Sequence, residues 1–249
     1  MLNPRANPFL LYHLWLPLLV FTGGILVLEF SALDLWLADQ IYRWGGGAWR
    51  WRDAWLTAQV IHKDGRTFIG GMALLLLGAL LLAQGVPRLR PWRGGLGYLA
   101  CSALGAGLLI NLLKQFTHVD CPWDLGRYGG VNPYVPLFAV LPADVSPGAC
   151  FPAGHASAAY AWFGLYYWCL RHAPRWRWLA LGGVTLLGLA FGIGQQLRGA
   201  HFLSHDVWTL ALCWLLATLL YLIWYGVRRD AAVTPRKGNE QVQVSENFI

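Results

Sequence analysis

The sequence predicts an all-α membrane protein in which six transmembrane helices form a bundle and one short helix lies on the membrane surface. Of the 249 residues, 57% are hydrophobic and 12% are charged, whereas a soluble domain has about 25% charged residues. Apolar stretches of about 20 residues recur along the chain, and such stretches cross a hydrocarbon core of about 30 Å. This composition argues against a water-soluble globule, a disordered chain and a nucleic-acid-binding domain.

The apolar stretches define the predicted transmembrane helices. They are about Phe9–Phe30, Thr67–Val86, Gly94–Leu113, His155–Leu170, Trp178–Leu197 and Phe202–Val227. The first is too long for the hydrophobic part of a signal peptide and lacks a small-residue cleavage site, so we interpret it as a retained helix. Gly188 and Gly192 in the fifth stretch have GxxxG spacing, which is typical of close helix packing within a monomer or, alternatively, between two copies.

The segment Ser31–Arg66 is too polar to cross a membrane. Within it, Asp34–Trp44 has the pattern of an amphipathic helix, and five tryptophans are concentrated nearby. Because tryptophan favours the headgroup layer, we expect this segment to lie on the membrane surface. Residues 1–230 form the predicted membrane domain, and the polar residues 231–249 are expected to be a disordered tail.

Basic residues outside the predicted helices indicate the orientation. Of the 19 lysines and arginines, eleven lie on the side of the two termini and eight on the other side. Because cytoplasmic loops are enriched in lysine and arginine, both termini are expected to be cytoplasmic.

Three polar clusters lie on the opposite, outward side, at the ends of apolar helices. They are Lys114–Pro122, Phe151–Ser157 and Gln195–Asp206. Ionisable residues at membrane depth are costly and usually functional. In the second cluster, His155 stands at a predicted helix start, where free N–H groups attract anions. It is interpreted either as a proton donor to a leaving group or as an interfacial cap.

In the third cluster, Arg198, His201 and His205 share one face of a helix, while Asp206 points away from His201. The side chain expected to face His201 is therefore His205. This pattern fits a nucleophile beside an anion-binding arginine. A metal site, for which i, i+4 histidines are suitable ligands, and a purely structural polar cluster are the alternatives. Lys114 alone is typical of a side chain that reaches back to the interface, but beside Arg198 it suits a bound phosphate.

Together the three clusters resemble the motifs of the type-2 phosphatidic acid phosphatase superfamily, which includes lipid phosphate phosphatases and vanadium haloperoxidases, and the chain resembles a divergent bacterial branch. The family motifs are Lys-x6-Arg-Pro, Pro-Ser-Gly-His and Ser-Arg-x5-His-x3-Asp. The corresponding residues here are Lys114, Cys121 and Pro122, then Pro152, Ala153, Gly154 and His155, then His201. The resemblance covers about residues 60–225.

Several positions depart from the family pattern, of which Ala153 in place of the motif serine is a mild change. Cys121 and Gln195 replace the two motif arginines, and His205 replaces the aspartate. An offset alignment that uses Arg198 and His205 as the third-motif arginine and histidine is one residue too long, so we prefer His201.

The resemblance implies a metal-independent, cofactor-free mechanism. His201 would attack phosphorus to form a phosphohistidine, and His155 would protonate the leaving group and then activate water. His205, or alternatively Asp206, would orient His201. The residues implied in phosphate binding are Lys114, Arg127, Arg198 and the amides of Ala153 and Gly154.

Cys121 and Cys150 bracket the long outward loop 123–148, which is expected to cover the site as a lid. In an oxidising periplasm the two thiols can form a disulfide; two buried thiols are the alternative.

The leading functional hypothesis is an integral-membrane phosphatase of the bacterial inner membrane with its active site in the periplasm. Its substrate would be a lipid phosphate monoester or diphosphate, and its surroundings membrane lipids. A lipid phosphotransferase with the same site is a close variant. One rival is a metallohydrolase. The other is a non-catalytic transporter or lipid-binding scaffold, which the replaced motif residues favour.

Overall fold

A computed structural model describes residues 7–226. The predicted tail 231–249 lies outside the described residues. The helices are α1 Pro8–Phe30, α2 Leu33–Trp44, α3 Trp55–Gly85, α4 Arg93–Phe116, α5 Gly154–Tyr160, α6 Gly164–His172, α7 Arg177–Leu197 and α8 Leu203–Tyr225. Within these residues no strand forms, apart from one isolated bridge between Leu125 and Asn132.

Five of the helices in residues 7–226 are long and apolar enough to cross a membrane, namely those that contain α1, α3, α4, α7 and α8. The fourth predicted helix is formed by α5 and α6, which are joined by the 3-10 turn Ala161–Phe163. This pair is not one of the five candidates. It lies inside the bundle, where the side chains of Tyr160, Phe163 and Tyr167 are almost completely buried. The structure is therefore all-helical with five candidate spans.

The two glycines of the GxxxG pair bring α7 close to its neighbours in the same chain. A Cβ at Gly188 would overlap the ring of Tyr160, and one at Gly192 would overlap the carboxylate of Asp206. Small residues allow helices to approach this closely, so these positions serve packing within the monomer.

Helix α2 forms as the amphipathic pattern predicts, one residue longer at its start. Its buried Asp34 accepts a hydrogen bond from the backbone N–H of Ser204 at 2.9 Å. The first N–H groups of a helix lack partners within the helix, so Asp34 caps α8 from another element. This contact holds α2 against the start of α8, next to the third polar cluster.

Helix α3 begins at Trp55, well before the predicted start near Thr67, because its first ten residues, Trp55–Asp64, are π-helical. Hydropathy does not reveal this polar extension. π-Helical turns occur frequently at functional sites, and this one carries Ile61 and His62 towards the polar clusters.

Candidate active site

The ends of α3, α4, α5 and α7 meet around a cavity of about 430 Å³. Among the residues that line it are five of the predicted catalytic and phosphate-binding residues, Lys114, Gly154, His155, Arg198 and His201. Residues from all three polar clusters thus face one space.

The turn between α7 and α8 places Arg198 and His201 in this cavity. Helix α7 ends in a Schellman motif, in which Ala200 N–H donates to the Gln195 carbonyl and Gly199 N–H to the Gln196 carbonyl, both at 2.9 Å. Gly199 has φ +75°, and a Cβ there would overlap the ring of Trp49. Glycine is therefore required at this position for both its conformation and its lack of a side chain.

His201 is buried, and its Nδ1 lies 3.3 Å from Nδ1 of His205. One of these nitrogens carries the shared proton and the other accepts it. This contact does not involve Nε2 of His201, which has the lone pair of the neutral ring when Nδ1 carries the proton; the backbone of Cys150 is a further hydrogen-bond partner of His201. Burial lowers the pKa of His201 well below its usual value, and the neighbouring His205 and Lys114 act in the same direction. His201 is therefore a neutral imidazole, as a nitrogen nucleophile must be.

His205, and not Asp206, contacts His201, although α8 begins only at Leu203 and does not include His201. The ring of His205 packs edge-on against the rings of Phe151 and Phe202, with centroids 5.3 and 5.5 Å away. Asp206 points elsewhere and accepts a hydrogen bond from the Gln196 side chain.

His155 is held by the π-helical start of α3. Its Nε2 lies 3.0 Å from the carbonyl oxygen of Ile61. A carbonyl only accepts, so Nε2 must carry a proton, and in the neutral ring Nδ1 has the free lone pair. The ring also lies 4.5 Å from that of His62 and 4.8 Å from that of Phe191, between centroids.

Lys114 lies directly beside the start of α5. Its Nζ donates to the carbonyl of Ala149 at 3.0 Å. A Cβ at Gly154 would come within 2.9 Å of Cε of Lys114. Gly154 thus allows the lysine to approach His155 along the cavity wall.

Sequence reasoning missed His62, which also lines the cavity. Arg198 Nη1 donates to Oε1 of Gln195 at 3.2 Å, and Nε2 of Gln195 lies 2.8 Å from Nδ1 of His62. Because Oε1 accepts from the arginine, the amide nitrogen must donate, so Nδ1 of His62 accepts and its Nε2 carries the proton. The available signal was the basic run 62–66 on the same side as the polar clusters.

Two predicted phosphate contacts need correction. The guanidinium of Arg127 is paired with Asp39 on α2, with N–O distances of 2.7 and 2.6 Å, and does not line the cavity. This pairing holds the pKa of Asp39 below its usual value. The amide of Ala153 is buried and already donates to Oγ1 of Thr209 at 2.8 Å, so it has no hydrogen left for a phosphate.

A disulfide joins Cys121 to Cys150, whose Cα atoms are 5.2 Å apart. Both residues line the cavity, so the bond connects the segment after Lys114 to the turn before α5. The intervening loop packs over the start of α8, with Tyr134 against Phe202 and Phe138 against Trp208.

The described residues contain one group of three potential metal ligands, Cys121, Asp124 and Cys150. Cysteine binds a metal as a thiolate. Cys121 and Cys150 are bonded to each other, so neither sulfur is available as a thiolate. His201 and His205 are not part of such a group, so within residues 7–226 the metal alternative has no third ligand at the histidine pair.

Comparison with known proteins gives one match. The family model described as the PAP2 superfamily matches residues 95–229, a span that contains all three polar clusters but neither α2 nor α3. No curated protein and no solved structure matches the chain.

Proposed function

The chain belongs to the PAP2 superfamily, and from this premise we propose that it is an integral-membrane phosphatase that hydrolyses a lipid phosphate monoester or diphosphate through a phosphohistidine. Members of the superfamily are phosphatases and related phosphoesterases. The observation that supports the proposal most directly is the shared cavity of Lys114, His155, Arg198 and His201.

In the first step, His201 carries its ring proton on Nδ1, shared with His205, and the lone pair on its Nε2 attacks phosphorus. A P–N bond forms, the bond from phosphorus to the leaving oxygen breaks, and that oxygen takes a proton from His155. Because Nε2 of His155 remains bonded to the Ile61 carbonyl, the transferred proton must stand on Nδ1, so the ring enters this step as an imidazolium that has taken a proton from solvent. In the second step, Nδ1 accepts a proton from water as the water attacks phosphorus, and the P–N bond breaks.

The charge that develops on the phosphoryl oxygens needs fixed donors, and such electrostatic stabilisation is usually the largest catalytic contribution. Lys114 and Arg198 supply positive charge at the cavity wall. The Nε2–H of His62, fixed by Gln195, supplies a neutral donor beside His155. In this way Arg198, Gln195 and His62 take the place of the motif arginine that Gln195 replaces.

His205 would hold the His201 ring through Nδ1, in the place of the family aspartate. A neutral imidazole stabilises the cationic phosphohistidine less than a carboxylate does. The proposed enzyme is therefore expected to turn over more slowly than one with aspartate at this position, and His205→Asp is expected to raise kcat.

We further propose that α5 and α6 together form a sixth span, that α2 lies at the interface, and that the cavity opens to the periplasm of a bacterial inner membrane with both termini in the cytoplasm. A lipid phosphate then presents its head group at the depth of the cavity while its chains remain in the bilayer. This arrangement supports a lipid substrate, and we propose that the reaction is metal-independent.

The test is phosphate release from a panel of lipid phosphates by the purified full chain in detergent with EDTA. His201→Ala and His155→Ala are expected to abolish release. His118→Ala is the matched control, since His118 is exposed and does not line the cavity. With a ³²P-labelled substrate, His155→Ala is expected to leave an acid-labile phosphoenzyme that His201→Ala cannot form. Release that is lost with EDTA would support a metallohydrolase.

Transfer of the phosphoryl group to another lipid uses the same phosphoenzyme with a different acceptor. Adding an acceptor lipid to the assay separates the two reactions, because a phosphotransferase makes a labelled lipid in place of free phosphate. If neither product forms with any lipid phosphate, the transporter or scaffold alternative gains support.

A further inference from the structure

We propose that the protein binds an anionic phospholipid in a second cavity, at the end of the bundle opposite the candidate active site. This cavity has a volume of about 740 Å³, larger than the catalytic one. It lies between the start of α1, the segment from α6 to α7, and the end of α8. The inference does not depend on the proposed phosphatase activity.

The position along α8 separates the two cavities. His205 at the start of α8 contacts His201 in the candidate active site, while Tyr221 near its end lines the second cavity. Sixteen residues of helix correspond to about 24 Å at about 1.5 Å per residue. A lipid in the second cavity therefore belongs to the opposite leaflet and cannot reach the histidine pair.

The walls of the cavity are aromatic and apolar, with Tyr12, Tyr166, Trp178 and Trp214 among the lining residues. The polar groups at its base bond to one another. His13, in the π-helical turn Leu11–Trp15, contacts the Phe9 carbonyl at 2.9 Å through Nδ1 and the Tyr166 hydroxyl at 2.8 Å through Nε2. Because these groups already have partners, the base of the cavity suits a hydrocarbon chain.

Among residues 7–226, the charged side chains that line the cavity are Arg171 and Arg177, and no aspartate or glutamate of that range lines it. Both arginines are half-buried, and within residues 7–226 neither guanidinium forms an ion pair with a carboxylate. Arg177 lies against the ring of Trp178, with its Cζ 5.4 Å from the centroid. Within residues 7–226, two positive charges without a paired carboxylate therefore stand at a cavity whose other lining residues are mostly aromatic or aliphatic.

This combination identifies the class of ligand. A cavity of this size accommodates a small amphiphile, its apolar walls require a hydrocarbon chain, and its two guanidinium groups match a phosphate. Basic pockets between transmembrane helices are known to bind phospholipid head groups. The occupant is an anionic phospholipid with its phosphate at Arg171 and Arg177 and one acyl chain against the aromatic walls.

The test measures retention of phosphatidylglycerol and of phosphatidylcholine by the purified full chain, using native mass spectrometry in detergent. The wild-type chain is expected to retain phosphatidylglycerol and to release phosphatidylcholine. Arg171→Gln with Arg177→Gln is expected to weaken retention of phosphatidylglycerol at least 10-fold. The matched control is Arg88→Gln with Arg175→Gln, which removes the same charge from exposed arginines at the same end and leaves retention unchanged.

A second variant separates the cavity from its charge. Leu181→Trp places a larger side chain in the lining and keeps both arginines, so it is also expected to reduce retention; unchanged elution and thermal midpoint show that each variant is folded. The proposal is overturned if wild type retains the two lipids equally or retains neither, or if the control pair lowers retention as much as the cavity pair. Loss of the lipid in Lys114→Gln would place it in the catalytic cavity and overturn the proposal as well.

Discussion

Removal of His62 tests the most specific feature of the candidate active site, the hydrogen-bond relay from Arg198 through Gln195 to His62. His62→Ala deletes one fixed donor at the phosphoryl group. Loss of such a donor costs about 2.7–4 kcal/mol of transition-state stabilisation, or about 100-fold or more in kcat. The ring centroids of His62 and His155 lie 4.5 Å apart, and the N–H of His62 acts on the charge that develops on the phosphoryl oxygens. For this reason kcat is expected to fall more than KM rises.

Gln195→Leu keeps the ring of His62 but removes the 2.8 Å hydrogen bond that fixes its proton on Nε2. One hydrogen bond contributes about 0.5–1.5 kcal/mol, so a loss of up to about 10-fold in kcat is expected. Gln115→Leu is the matched control, because Gln115 is exposed and does not line the cavity.

The double variant distinguishes a relay from two independent contributions. If Gln195 acts through His62, the kcat of the double variant is about 100-fold below that of wild type, no lower than for His62→Ala alone, because the effects of coupled residues are not additive. Independent effects multiply to up to about 1,000-fold. The kcat of each variant is measured as phosphate release by purified, monodisperse protein. Full activity of His62→Ala, or multiplicative losses in the double variant, would refute the relay.

Three further outcomes follow from single features of the structure. Arg127→Gln is expected to keep kcat within about 2-fold of wild type, because the Arg127 guanidinium is paired with the Asp39 carboxylate outside the cavity. A fall in kcat as large as that expected for loss of a phosphate contact would show that Arg127 belongs to the site. Burial lowers the pKa of His201, so the acid limb of kcat/KM is expected below the usual histidine pKa of about 6.5. As the pH falls, the unfolded chain takes up a proton on this histidine before the folded protein does, so folding stability also decreases below about pH 6.5. An acid limb of kcat/KM at or above about pH 6.5 would contradict a buried, neutral imidazole. Gly199→Ala combines backbone strain with ring overlap and is expected to lower the free energy of unfolding by about 1–3 kcal/mol, measured by denaturant unfolding in detergent. Gly46→Ala, with φ +82° and no atom near a Cβ, is the control for strain alone; an equal loss in both variants would remove the role assigned to the close contact.

The helices were predictable because their signals are local. Apolar length marked the candidate spans, and amphipathic spacing marked α2. There are two exceptions: the fourth predicted helix is divided by a 3-10 turn into α5 and α6, and at the start of α3 a polar π-helical segment extends an apolar helix outward. Hydropathy does not detect that polar extension, and His62, which lies in it, was therefore not predicted as a site residue.

The site residues divide in the same way. Three polar clusters in chain order indicated Lys114, His155 and His201 by sequence alone, because chemistry at membrane depth requires residue types that are otherwise costly there. The sequence named His205, with Asp206 as the alternative, as the partner of His201, and it placed both Arg127 and Arg198 at the phosphate, whereas Arg127 lies outside the cavity.

Only the tertiary structure decided those pairings, because each joins residues far apart in the chain. Arg127 meets Asp39 across 88 positions, His155 meets Ile61 across 94, and Gln195 meets His62 across 133. A local pattern states what a side chain can do, but its partner depends on which helix ends converge. Residue type and spacing therefore determined the kind of chemistry that this protein can host, and the packing of the bundle determined which atoms are left free to perform it.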